Sequence, residues 1–156
     1  MFKPIVGAGA RGAFVTHSQS EAIAKTQAHF QNSDISLLMQ PYLEEVDIDG
    51  EIAVVCCNGE PLHAVVKRPA LSSGGHGDFQ LGIELDSKLV HFVRQVQDFS
   101  IAGHAVSDLW YSRVDLVPTK SGYLLMELEL FEPTLFLKQN PSSARTFADN
   151  LKLHLA

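Results

Sequence analysis

The residues best suited to chemistry are three carboxylates in the stretch YSRVDLVPTKSGYLLMELELFEP, Tyr111 to Pro133: Asp115, Glu127 and Glu129. Leu124, Leu125, Met126, Leu128, Leu130 and Phe131 surround the two glutamates. In an extended strand residues i and i+2 share a face, so Glu127 and Glu129 project side by side with Leu128 turned away. Trp110–Val117 reads as the preceding strand and Pro118–Gly122 as a polar turn, which makes the pair a hairpin and brings Asp115 near the glutamates. Carboxylates gathered at an apolar sheet repel one another and resist desolvation unless a cation sits among them. Hard oxygen ligands of this kind suit magnesium, especially where phosphate oxygens complete the shell. The alternative is that both glutamates lie on the solvated face of a half-exposed strand.

The elements that must position this hairpin follow from punctuation and periodicity. FKPIV reads as a strand, followed by the glycine-rich Gly7–Gly12 and the strand-like Ala13-Phe14-Val15. Glycines so placed suit a hairpin loop whose amides can approach phosphate, although no GK[ST] follows and no helix opens directly. Ser18-Gln19-Ser20-Glu21 has the form of a capping box for a helix over 20–31. Ile35–Gln40 has the composition of a buried strand ended by Pro41. An acidic run, Glu44, Glu45, Asp47, Asp49 and Glu51, leads into a strand over 52–57, and Asn58-Gly59 marks a two-residue hairpin with a return strand over 61–67. Ser72–Gly77 reads as a flexible loop and 78–85 as another strand. Asp86 caps a helix to about Phe99, and Asn140-Pro141 opens a final helix. This order predicts an α+β fold with a mostly antiparallel sheet and flanking helices.

Composition narrows the class. A chain of 156 residues with 46% hydrophobic residues suits one ordinary folded domain. A formal net charge of −6 and a pI near 5.6 speak against a general nucleic-acid or anionic-membrane surface, and mean hydropathy is +0.05. No apolar run approaches the roughly 20 residues of a bilayer span, and MFKPIVGAGARG lacks the apolar core of a signal peptide. Cys56 and Cys57 are adjacent in a strand and point to opposite faces, which disfavours a disulfide and fits a reducing cytoplasm. Seven scattered histidines show no zinc-like spacing.

Four segments taken together carry a family resemblance: KPIVGAGARGAF from Lys3, LLMQPYLEEVDIDGE from Leu37, HAVVKRP from His63, and YSRVDLV followed by LLMELELFEP. In this order they resemble the C-terminal part of the ATP-grasp enzymes, the superfamily that includes glutathione synthetase and the glutamate ligases that modify ribosomal proteins. The resemblance implies a partial small subdomain over 1–41 and a large subdomain with the metal site over 42–156. It implies that Lys3 contacts nucleotide phosphates as a compact charge. Gly7, Gly9, Arg11 and Gly12 would belong to a lid over those phosphates. Gln40 to Leu43 would form the hinge that bonds adenine, and Glu51 would bind the ribose hydroxyls, with Glu44, Glu45 and Asp47 competing for that role. Asp115, Glu127 and Glu129 would be the magnesium ligands, with manganese as a substitute. Arg113 would reach the transferred phosphoryl group, and Lys67 or Arg68 would hold a carboxylate substrate or a phosphate.

What the resemblance implies about function is an ATP-dependent ligase of the carboxylate–amine or carboxylate–thiol kind, working through an acyl phosphate on a small carboxylate, amino acid or peptide. The chain departs from the family pattern in starting at the lysine strand, without the N-terminal domain, and in Gln80 of GDFQLG, where many relatives carry a basic residue. These departures lead to the expectation of a shortened enzyme with poor turnover, or of a non-catalytic nucleotide-binding module. They also lead to the expectation of self-association along the strand edge near Phe2–Val6.

Overall fold

The computed structural model describes residues 1–7, 10–67 and 79–155, arranged as two compact units, Met1–Glu44 and Glu45–Ala156. The expected loop at 72–77 lies outside the described residues, as does the side chain of Gln80.

In the first unit β1 (Phe2–Pro4) pairs antiparallel with β2 (Leu37–Met39), setting Lys3 opposite Leu38. Phe2 and Phe14 exchange backbone hydrogen bonds of 2.8 and 2.9 Å and stack their rings at 5.1 Å, so the chain reverses direction between them, as the glycines at its described positions 7 and 12 allow. Gly12 has φ +77°, and a Cβ there would lie 3.0 Å from Pro4 Cγ. Only glycine meets both demands without strain. Helix α1 (Gln19–Asn32) is capped by Ser18 Oγ, which accepts from Glu21 N at 3.2 Å. The Glu21 carboxylate reaches back to His17 N at 2.9 Å, one residue before the cap. The reading of Ile35–Gln40 as a buried strand is corrected: Leu38 is 50% and Met39 75% exposed. Leu38 and Met39 are consecutive and point to opposite faces, so neither face of this two-stranded ribbon is fully covered.

The second unit is built on an antiparallel sheet in the order β5-β4-β3-β8-β9. Its strands are β3 (Glu51–Cys57), β4 (Glu60–Lys67), β5 (Phe79–Ile83), β8 (Tyr111–Thr119) and β9 (Gly122–Glu129). Between them lie α2 (Glu45–Asp49), α3 (Ser87–Gln97) and a small β6 (Ser100–Ile101)–β7 (His104–Ala105) hairpin; α4 (Pro141–Leu155) follows the sheet. The continuous apolar run of β3 is explained by its place in the middle of the sheet, covered on both faces. Ile52, Val54 and Cys56 pack with Ala64, Val66, Val114 and Leu116 beneath Leu89, Val93 and Val96 of α3. Ala53, Val55 and Val65 face the other way, under Leu135 and Phe136. Asp86 Oδ1 caps α3 through Leu89 N at 2.8 Å, and Asn140 Oδ1 accepts from Ser143 N at 3.1 Å at the start of α4. The fold is thus α+β with a mostly antiparallel sheet, as the element order predicts. Two features lacked a sequence signal, α2 within the acidic run and the β6–β7 hairpin. Among the described residues no helix is long and apolar enough to cross a membrane.

The β8–β9 ladder shifts register after Asp115: Asp115 opposes Glu127, whereas Leu116 opposes Leu125. Met126 is therefore an extra residue, a β-bulge that reverses which face odd-numbered residues occupy. Tyr123 packs on the α3 face, 5.7 Å ring to ring from Phe92, while Glu127 and Glu129 stand on the opposite face with Asp115 and Arg113.

Asn58-Gly59 forms the expected tight turn with φ values of 51° and 77°. A Cβ on Gly59 would lie 2.8 Å from Ser107 Cβ and 3.2 Å from its Cα, whereas Gly103, also at positive φ, has nothing within 4 Å. Gly59→Ala is expected to lower stability by about 2–3 kcal/mol and Gly103→Ala by about 1 kcal/mol, because only the first adds a clash with backbone to the left-handed strain. Urea midpoints of the two variants check this; equal shifts would show that the contact with Ser107 relaxes freely.

Candidate cation and phosphate site

The face of the sheet away from α3 carries a row of charges positioned strand by strand. Register sets Lys67 opposite Glu51, Val65 opposite Ala53, and His63 opposite Val55 on β4 and β3. Across β3 on its other side, Ala53 opposes Asp115 and Val55 opposes Arg113, and β9 then places Glu127 beside Asp115 and Glu129 beside Arg113. The small side chain of Ala53 sits between Val65 and Asp115, which leaves room for Lys67 to reach over β3.

Asp115 is the centre of this arrangement. It is completely buried, and an uncompensated carboxylate there would be prohibitively costly. Arg113 compensates it in a fork, Nε to Oδ1 and Nη2 to Oδ2, each at 2.7 Å, and Lys67 Nζ donates to Oδ2 at 2.5 Å. Lys67 also contacts Glu51 Oε1 as an ion pair at 3.1 Å, although that buried oxygen receives no hydrogen bond. Arg113 Nη2 donates further to Glu129 Oε1, and Nη1 to the Thr134 carbonyl at 3.3 Å. His63 Nε2 meets the neighbouring Leu135 carbonyl at 3.0 Å, so two consecutive carbonyls of the segment after β9 are pinned to the sheet. The Arg113 guanidinium also lies 5.7 Å from the Phe136 ring centre.

The electrostatics follow from burial and these partners. Burial pushes the Glu51 carboxyl up to about 7, with Lys67 opposing and Asp115 adding to the rise. Burial also works to raise Asp115, but the Arg113 and Lys67 partners outweigh it and hold that carboxyl below its ordinary value. Glu129 is raised, chiefly by burial. Burial pulls against the Arg113 charge, and its carboxylate partners overcome it. Burial lowers His63 and pushes the Cys56 thiol up to about 12, which keeps both neutral near pH 7 and leaves Cys56 unreactive. Cys56 and Cys57 are both free and buried.

One oxygen or more from each of Glu51, Asp115 and Glu127 lie within 4.8 Å of one another. Among the described residues, the carboxylates of Glu51, Asp115, Glu127 and Glu129 share the row with the cationic side chains of Lys67 and Arg113. A hard divalent cation fits the oxygen-only donor set of Glu51, Asp115 and Glu127.

The residues singled out in the sequence are distributed as follows. Asp115 and Glu127 come together with Glu51, whereas Glu129 is taken by Arg113. Among the acids of the 44–51 run, only Glu51 enters the cluster; Glu45 and Asp47 belong to α2. Lys67 is in the site, and Arg68 lies outside the described residues. In the first unit Lys3 is on β1, Gly7, Arg11 and Gly12 lie in the reversal between Phe2 and Phe14, and Gly9 lies outside the described residues. Gln40 uses both its N–H and its C=O on Met1, at 3.0 Å each, while Leu43 lies just beyond. Sequence reasoning overlooked His63, whose apolar neighbours resemble those of any strand residue.

Glu51 provides a test by pH. Its folded value lies above that of an unfolded glutamate, so folding favours the protonated form. Its contribution is most favourable below about pH 4.5 and is lost as the pH rises through about 7. Glu51→Gln removes that loss. Without divalent cations the variant is expected to melt close to wild type at pH 4.5 and to be more stable by about 1–3 kcal/mol at pH 8. Thermal melts across this range check it, and a constant gap would show that Glu51 is not desolvated.

No known family profile matches the sequence, and no curated protein matches it either. Solved structures do. The chain is similar to D-cycloserine synthetase DcsG, with 24% identity and a TM-score of 0.78, covering 99% of this chain and 55% of that one. It is also similar to D-alanine–D-alanine ligase from Bacillus anthracis complexed with ATP, with 20% identity and a TM-score of 0.64, covering 97% of this chain and 49% of that one. A second structure of the Bacillus anthracis ligase aligns at 14% identity and a TM-score of 0.56, covering 97% of this chain and 58% of that one. Both enzymes are ATP-grasp proteins, and this chain spans about half the length of each. The chain therefore has the ATP-grasp fold, over a length about half that of these enzymes.

Proposed function

We propose that this chain belongs to an ATP- and magnesium-dependent ligase that activates a carboxylate as an acyl phosphate for attack by an amine or a thiol. The observation that carries the reading is the convergence of Glu51, Asp115 and Glu127 oxygens on a fold shared with ATP-grasp enzymes. Asp115 and Glu127 would hold the magnesium ion, with Glu51 or Glu129 as the third carboxylate. When bound, the ion supplies charge neutralisation on the phosphate oxygens. Lys3 and the Gly7–Gly12 loop would contact phosphates, and the Gln40–Leu43 segment the adenine. In the reaction a carboxylate oxygen takes the terminal phosphoryl group and ADP leaves; the nucleophile then bonds to the acyl carbon and phosphate departs. The protein's part is alignment and charge, and Arg113 and Lys67 are the cations on hand for it. Association of two copies along the β1–β2 ribbon is part of this reading, supported by the exposure of Ile5, Val6 and Met39. Sedimentation showing only monomer would remove that element.

A second reading rests on Arg113. Its guanidinium makes four hydrogen bonds, to Asp115, Glu129 and Thr134, and its side chain is 6% exposed. An arginine so engaged is a brace, which favours a module that binds nucleotide without turning it over.

Saturating magnesium with a non-hydrolysable ATP analogue, at about 100 times Kd, is expected to stabilise the protein by about 2.7 kcal/mol, a rise of several degrees in Tm. Glu127→Gln is expected to weaken that binding at least ten-fold while leaving the ligand-free protein as stable or more so, since like-charge repulsion is relieved. Calorimetric titration checks both, and absence of any binding would defeat the nucleotide reading. ADP release in the presence of amino acids or small peptides then separates ligase from binding module.

A further inference from the structure

Lys67 occupies ground that a bound cation would need. Its ammonium lies 2.5 Å from Asp115 Oδ2 and 3.1 Å from Glu51 Oε1, two of the three carboxylates that converge. To reach Asp115 it crosses the whole of β3, over Ala53. The two cations of the row differ in freedom. Arg113 is locked by four hydrogen bonds and beneath Phe136, so it cannot withdraw without breaking the sheet face. Lys67 stands near the end of β4, its side chain is 21% exposed, and its flexible stem can swing the ammonium into water. A divalent ion among Glu51, Asp115 and Glu127 would lie within a few ångströms of that ammonium, at a partly buried site where water screens like charges less than it does at an open surface.

We propose that Lys67 is a tethered counter-ion: it neutralises Glu51 and Asp115 while the site lacks a divalent cation, and cation binding displaces it. The inference rests on reading the three carboxylates as a divalent-cation site. It makes Lys67 a competitor that weakens cation binding and keeps the site from collapsing when empty of metal. A lysine with no part in the site beyond anchoring it would do the opposite, because its removal would disorder the carboxylates and weaken binding.

Lys67→Met keeps the stem and removes the charge. Manganese alone, without nucleotide, is titrated into both proteins and followed by electron paramagnetic resonance and calorimetry. The expected result is at least ten-fold tighter manganese binding by Lys67→Met, together with a lower Tm than wild type in chelator and a larger rise in Tm on adding manganese. A second measurement uses the wild-type chain: acylation of lysine amines by an N-hydroxysuccinimide ester, read residue by residue by mass spectrometry. Lys67 should react slowly in chelator and several-fold faster with saturating manganese, while the exposed Lys152 on α4 should not change. Manganese binding by wild type with equal or weaker binding by the variant, or acylation of Lys67 that manganese does not accelerate, would overturn the counter-ion role and leave the cation site standing. Manganese binding by neither protein would overturn both.

Discussion

A carboxylate with no access to water constrains everything around it. Asp115 sits in the interior of the sheet face, and such a group is tolerated only where opposite charge and hydrogen bonds replace the solvent it has lost. The surrounding strands do this from two directions, Arg113 from two residues away on the same strand and Lys67 from a strand that is not even adjacent. The small residue at Ala53, the length of β4 to Lys67 and the pinned carbonyls at Thr134 and Leu135 all serve that compensation. The compensation is nonetheless incomplete. Glu51 is only partly served, since one of its buried oxygens goes without a hydrogen bond. Charge concentrated in this way costs stability.

How much of this could be read from the residues depends on the range of the interaction. The pairing of Asp115 with Glu127 was legible because a hairpin with a short polar turn leaves little freedom in register. The caps at Ser18, Asp86 and Asn140 were legible because each is decided within four residues. The contact of Lys67 with Asp115 was not, since it depends on β3 lying between β4 and β8, an order that no local signal encodes. Glu51 was one of several acids of similar spacing, and what separates it from Glu45 and Asp47 is the short α2, which a run of acidic residues gives little reason to expect. Leu38 and Met39 misled for a related reason: apolar character in a strand predicts a covered face, and a two-stranded ribbon has too few neighbours to cover it. The family resemblance reached the fold because four separated segments, each weak, had to occur in one order.

The two cations of the site illustrate how geometry assigns different work to similar charges. Arg113 is planar, forked and saturated, and it fixes the orientation of Asp115 and Glu129 at once. Lys67 makes point contacts from the edge of the buried region and retains a route to solvent. Exchanging them would not preserve the site even though the net charge would be the same. His63, neutral through burial, completes the support by holding the Leu135 carbonyl, next to the Thr134 carbonyl that accepts from Arg113.

The extra residue at Met126 governs how this hairpin tolerates change in length. Residues on the turn side of it keep their face by reference to Tyr123 against Phe92, and residues beyond it keep theirs by reference to Glu127 against Asp115. Three residues, Leu124, Leu125 and Met126, span those anchors opposite two of β8, Leu116 and Val117, so losing one would make the ladder regular and keep both anchors, whereas gaining one would widen the bulge. Gaining or losing a residue in the Lys120–Ser121 turn disturbs neither anchor. This hairpin can therefore change length at its tip or lose its bulge without exchanging its faces, and only a slip of the whole strand by one residue would carry the glutamates to the side of the helix.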